Sequence, residues 1–177
     1  MPGLISNRTL VADRWHLLRE ATTLSAVPVD GAVIVPLALW KAERTALGAR
    51  GEVGVWLAPG DDPDLIADDV ALLPVIAVDF PQFADGRGYS TARLLRQRHG
   101  FANELRAIGD ILRDQLFALE EVGFDAFLMR ADKDAAAALA SFEDFRSVYA
   151  PTVGHPAPWF RRRHGGPSPD GVWVAGT

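Results

Sequence analysis

The chain has 177 residues, a formal net charge of −5 and no cysteine. That length fits one domain with a sizeable core, and the acidic balance speaks against a general nucleic-acid binder, which carries a basic excess. Without thiols the chain holds no disulfide, no thiolate nucleophile and no cysteine-ligated zinc or iron–sulfur cluster of its own.

Residues 1 to about 8 read as a loose leader. Thr9, Leu10 and Val11 make a short strand candidate, and residues 13–16, including Trp15 and His16, follow as a turn or second short strand. The β-branched run 32–36 ends at Pro36 and suits a buried strand. Residues 37–49 then predict a helix with Leu39, Trp40 and Leu47 apolar, stopped by Gly51. A strand follows over 53–57, and the acids and proline of 61–64 start a short helix to about Asp69. The apolar stretch 72–78 is the next strand and runs into Asp79.

Residues 79–90 read as a loop containing Gly86 and Gly88, with Ser90 as the N-cap of a helix over 91 to about 100. That helix carries Arg93, Arg96 and Arg98. Residues 104–108 predict a short strand leading to Gly109 and Asp110, and a helix over 111–122 places Leu112, Leu116 and Leu119 at three- and four-residue steps. Residues 124–129 form the next strand, and Asp132 caps a last helix reaching about Arg146. From Pro151 prolines alternate with glycines, so the organisation is an α/β domain over 1–150 and an extended or partly disordered tail over 151–177. Within that tail Arg161, Arg162, Arg163 and His164 are a solvated charge run or, on the sharper reading, a contact for an acidic partner.

Strands alternating with helices argue for a single α/β domain with a mainly parallel sheet. A doubly wound sheet and an open half-barrel fit equally. With right-handed crossovers the loops after the strands collect at one sheet edge, which makes the 79–90 loop, the loop after Ile108 and Arg130 neighbours. No apolar run approaches a membrane span and no signal-like segment opens the chain, so the expectation is a cytoplasmic protein that meets neither membrane nor nucleic acid.

Two constellations could carry chemistry. The first is an anion cradle of Arg87, Gly88, Ser90 and Arg93, where glycine allows close approach, a helix N-terminus offers N–H groups and guanidinium forks clamp oxyanions. Against it stands an ordinary strand-to-helix turn with a Ser cap. The second is the polar cluster of Glu104, Arg106, Asp110 and Asp114, with Asp85 in the preceding loop. Arg106 and Asp110 are expected as a buried ion pair, Asp110 as a helix N-cap sharing a face with Asp114, and acid–base work or magnesium binding as the sharper alternatives. The four histidines are scattered, and Gly86-Arg87-Gly88 lacks the third glycine and acidic partner of a dinucleotide fingerprint. No cofactor and no metal site are expected.

The run Phe83-Ala84-Asp85-Gly86-Arg87-Gly88-Tyr89-Ser90 closely resembles the shared core of the bacterial family DUF934. So do Leu94-Leu95-Arg96, the run from Glu104 through Asp110, Asp114-Gln115 and the run from Gly123 through Phe127. Members of that family are encoded beside sulfite reductase and other sulfate-assimilation enzymes, and some carry an oxidoreductase label. The resemblance therefore implies an accessory of assimilatory sulfite or sulfate reduction that acts with a sulfite reductase. An enzyme or sensor binding a small oxyanion or phosphorylated metabolite at the Gly-Arg-Gly loop is the alternative.

Overall fold

The computed structural model describes residues 3–130 and 132–143. The end of the last predicted helix and the 151–177 tail lie outside them. Eight strands form one sheet: β1 (Leu4–Ser6), β2 (Thr9–Val11), β3 (Trp15–Leu17), β4 (Ala32–Pro36), β5 (Val53–Leu57), β6 (Val75–Phe80), β7 (Glu104–Gly109) and β8 (Ala126–Leu128). Five α-helices accompany them: α1 (Leu37–Ala42), α2 (Arg44–Arg50), α3 (Arg87–Gln97), α4 (Leu116–Glu121) and α5 (Ala135–Ala140).

The strand order is β2-β1-β8-β7-β6-β5-β4-β3. Strands β3 to β8 are parallel, and β1 runs antiparallel to both β8 and β2. A doubly wound sheet needs the order to reverse, so that helices fall on both faces. Here the six parallel strands never reverse, and right-handed crossovers put the helices on one side. The sheet curls into a half-barrel.

Alternation along each strand then decides which residues face the helices. On the convex face Val55, Ile76, Val78 and Phe80 share a buried cluster with Trp40, Leu47, Leu95 and Leu119 of the helices. Among the described residues the concave cluster of Trp15, Ala32, Ile34, Val75, Ala77 and Ile108 is built from strands. Arg106 also points inward, in register with Ala77 on β6 and Ala126 on β8, and is 1% exposed. The small side chains on either side leave it room. Its Nε donates to Glu104 at 2.7 Å and its Nη1 to Asp13 at 2.9 Å, so the segment between β2 and β3 is tied to the middle of the sheet.

Residues 4–8, expected as part of a loose leader, instead form β1 and a tight turn. Ser6 pairs with Thr9 around Asn7 and Arg8, both at positive φ (48° and 56°), which is the two-residue turn that matches strand twist. Asparagine tolerates that conformation, and Arg8 is held by a bidentate bond to Glu120 at 2.7–2.8 Å. The expected helix over 37–49 is two helices meeting at Glu43. Trp40 and Arg44, on either side of that turn, both donate to the buried carboxylate of Asp69. The acids at 61–64 start only a single 3-10 turn, Pro63–Ile66, with Asp62 accepting from the Asp64 N–H at 2.9 Å. Asp134 rather than Asp132 caps α5, because Asp132 is engaged by Arg130. No helix among the described residues is long and apolar enough to cross a membrane.

Replacing Arg106 removes the fully buried cation that joins Asp13 and Glu104, whose carboxylates are partly open to solvent. Arg106→Met is expected to lower unfolding free energy by about 3 kcal/mol in urea melts, with the far-UV spectrum of the folded state unchanged.

Candidate functional site

The Gly-Arg-Gly loop folds differently from the predicted cradle. Helix α3 opens at Arg87 with Gly86 as its cap, so Ser90 lies within the helix, exposed, and caps nothing. The anion position at that helix end is filled from within the chain. Asp85 Oδ1 accepts from the Arg87 N–H at 3.1 Å and from its Nε at 3.0 Å, and Asp85 Oδ2 accepts from Nη2 at 2.7 Å. Those bonds hold Asp85 below the usual carboxylate range and raise Arg87. Gly88 is a packing glycine: a Cβ there would lie 2.4 Å from the Phe80 ring. Ser90 and Arg93 instead line a groove of about 620 Å³ with Tyr89, Leu94, Gln97 and Val122. Ser90 and Arg93 thus share this groove, and Arg87 and Gly88 are not among its lining residues.

The other arginines of α3 have structural work. Arg96 donates to the carbonyls of Gly123, Phe101 and Asn103 and to the Asp125 carboxylate, all within 2.6–2.8 Å. Burial pushes Asp125 up despite the pull of Arg96. Arg98 pairs with Asp64 at 3.1 Å.

The expected Arg106–Asp110 pair does not form. Four residues of extended chain separate them by about 13 Å, and Asp110 lies past the end of β7 where Arg130 reaches it at 2.9 Å. Asp110 caps no helix either. The backbone stays extended at Leu112, whose N–H donates to the Gln115 side chain at 3.0 Å, and helical structure begins at the 3-10 turn Arg113–Gln115. Asp110 and the exposed Asp114 therefore share no helix face. Among the described residues no three carboxylates or imidazoles converge as a metal site.

What the topology does assemble is a polar mouth where the parallel strands end. Inward alternation carries Trp56 of β5 and Asp79 of β6 to this edge, and the next inward positions after Leu17, Ile108 and Leu128 are Arg19, Asp110 and Arg130. Arg19 Nη2 donates to Asp79 Oδ1 at 2.9 Å, and its guanidinium lies 5.9 Å from the Trp56 ring centre. The Trp56 indole N–H is fixed to the Leu18 carbonyl at 3.2 Å. Gly109, at φ 101°, passes so close that a Cβ would sit 2.8 Å from Asp79 Oδ1 and 2.4 Å from the Phe80 carbonyl. That approach also lets the Asp110 N–H bond to the same carbonyl at 2.6 Å. Arg130 bridges Asp110 and Asp132, each at 2.9 Å.

Sequence reasoning brought the 79–90 loop, the loop after Ile108 and Arg130 to one edge, and they are there. It missed Arg19 and Trp56. The signal for Asp79 was present: it is the one charged residue in the apolar alternation of β6. Arg19 gave none, because its partner lies on a strand far along the chain.

The described residues thus form an α/β half-barrel with charged side chains gathered at the carboxyl ends of its parallel strands. Compared with known families, residues 54–160 match DUF934, described as a bacterial protein of unknown function. The match covers more than half of the chain, and the chain belongs to that family. None of the curated proteins compared with it matches.

Two outcomes test this geometry. Gly109→Ala combines a strained φ with a backbone clash and is expected to lower stability by about 2–3 kcal/mol, read from denaturant midpoints. Asp85, held low in the folded state, contributes stability above its unfolded pKa that is lost as pH falls through its folded value. Asp85→Asn should therefore melt below wild type at neutral pH, the gap closing under strongly acidic conditions.

Proposed function

We propose that this protein is a cytoplasmic accessory of assimilatory sulfite and sulfate reduction, working beside a sulfite reductase. What carries the reading is where the family's shared residues fall. The run from Phe83 to Ser90 covers the loop after β6 and the first turn of α3, Gly109 and Asp110 follow at the end of β7, and DUF934 members are encoded beside sulfite reductase. A chain without cysteine brings no thiolate or thiolate-bound cluster to the reduction, which suits a helper whose partner supplies the redox centre.

The alternative places a small oxyanion at Arg87, Gly88, Ser90 and Arg93. Geometry weighs against it at that spot: Asp85 occupies the helix N-terminus and Gly88 is packed under Phe80. The mouth is the better-built place for a ligand.

The full-length protein, tagged and expressed from its own chromosome, is expected to co-purify with the sulfite reductase of the same cell. A deletion strain should grow poorly on sulfate or sulfite and normally on cysteine. Normal growth on sulfate, together with no co-purification, would remove the pathway assignment.

A further inference from the structure

We propose that the Arg19–Asp79 pair at the mouth binds a small oxyanion that still carries a proton, such as hydrogen sulfite or hydrogen phosphate, and that it excludes sulfate. The choice of sulfite among the ligands rests on the pathway reading above; the selectivity rests on the pair alone.

Among the described residues Arg19 uses only Nη2, on Asp79, which leaves Nε and Nη1 to donate. Asp79 uses only Oδ1, and its Oδ2 has no partner among the described residues. A guanidinium can only donate, so the ligand atom facing it must be a bare oxygen. A carboxylate ion-paired in this way can only accept, so the ligand atom facing it must bring a hydrogen. An O–H beside an O⁻ satisfies both.

Sulfate carries no proton at neutral pH. In this site it would set an ionised oxygen against Asp79 Oδ2, two acceptors with nothing between them, and the group is only 8% exposed, so water screens the repulsion weakly. The pair is also held in place. The Trp56 ring beneath Arg19 restrains the guanidinium, and Gly109 leaves Asp79 the room any larger residue would take. Arg130 does not compete for the ligand, because Asp110 and Asp132 already occupy it.

The test is calorimetric titration of the full chain with phosphate, sulfite and sulfate at neutral pH and constant ionic strength. Phosphate and sulfite are expected to bind, with sulfate at least tenfold weaker. Asp79→Asn presents an amide N–H in place of an acceptor, so this variant should gain sulfate and lose the discrimination. Arg19→Gln, at a partly exposed position and with its fold verified by far-UV circular dichroism, should lose all three anions. Equal affinity of the wild type for sulfate and phosphate would overturn the proposal, as would no binding of any of them. Retained selective binding by Arg19→Gln would overturn it too, by placing the site elsewhere. Selective binding without co-purification of a sulfite reductase would leave this site standing and remove only the pathway.

Discussion

The order in which the parallel strands are laid down governs the rest of this molecule. Each new strand from β3 to β8 is added on the same side of the last, and right-handed crossovers then send the helices to a single face. One face of the sheet is covered by α-helices, and among the described residues the other is covered by its own strands. Curling allows that: Ile34, Ala77 and Ile108 are fully buried on the concave side in a cluster of strand residues. The same curvature draws the ends of neighbouring strands together, and that is why side chains from distant parts of the sequence meet at the mouth.

The concave face of the described sheet has little width, and its composition shows this. Gly54, Ala77 and Ala126 are small residues at inward positions, and a Cβ on Gly54 would approach the Val75 carbonyl to 2.8 Å. The space they leave is filled by one long side chain, Arg106, whose charge is answered by Asp13 and Glu104. A buried ion pair of this kind is a weak source of net stability but a constraint on register, since a shifted β7 would carry Arg106 away from Asp13. The charged groups are thus divided by level: a structural set inside the trough, and a second set, Arg19 with Asp79 and Arg130 with Asp110, at its rim.

Most of the strands could be read from the sequence, because their apolar runs are bounded by Gly, Pro or charge. Their direction followed from the alternation with helices. The choice between half-barrel and doubly wound sheet did not, since it depends on which side each strand joins, and local pattern is silent about that. The β1–β2 hairpin escaped notice because its turn is Asn7-Arg8, without the glycine that usually marks such a turn, and is stabilised by Glu120 from far along the chain. The cradle at Arg87, Gly88, Ser90 and Arg93 was drawn from a Ser that resembles a cap. Tertiary packing decided otherwise: Gly88 must pass under Phe80, and that starts α3 four residues earlier. Arg106 was expected to pair with Asp110, its neighbour in sequence, but the strand holds the two at different heights and each finds a partner from another segment.

The antiparallel hairpin has a consequence for how the chain is made. Ile5 pairs with Phe127, so the first strand synthesised lies beside the last strand of the sheet. On the ribosome β1 and β2 emerge before any edge exists for them to join, and Leu4 and Ile5 have no surface to bury against until β8 has been released. The parallel strands can add to one another as they appear, each after a short crossover, whereas closing the hairpin onto β8 spans almost the whole described chain. Assembly of this sheet therefore ends with the strand of it that was made first, and β1 waits longest for its partner.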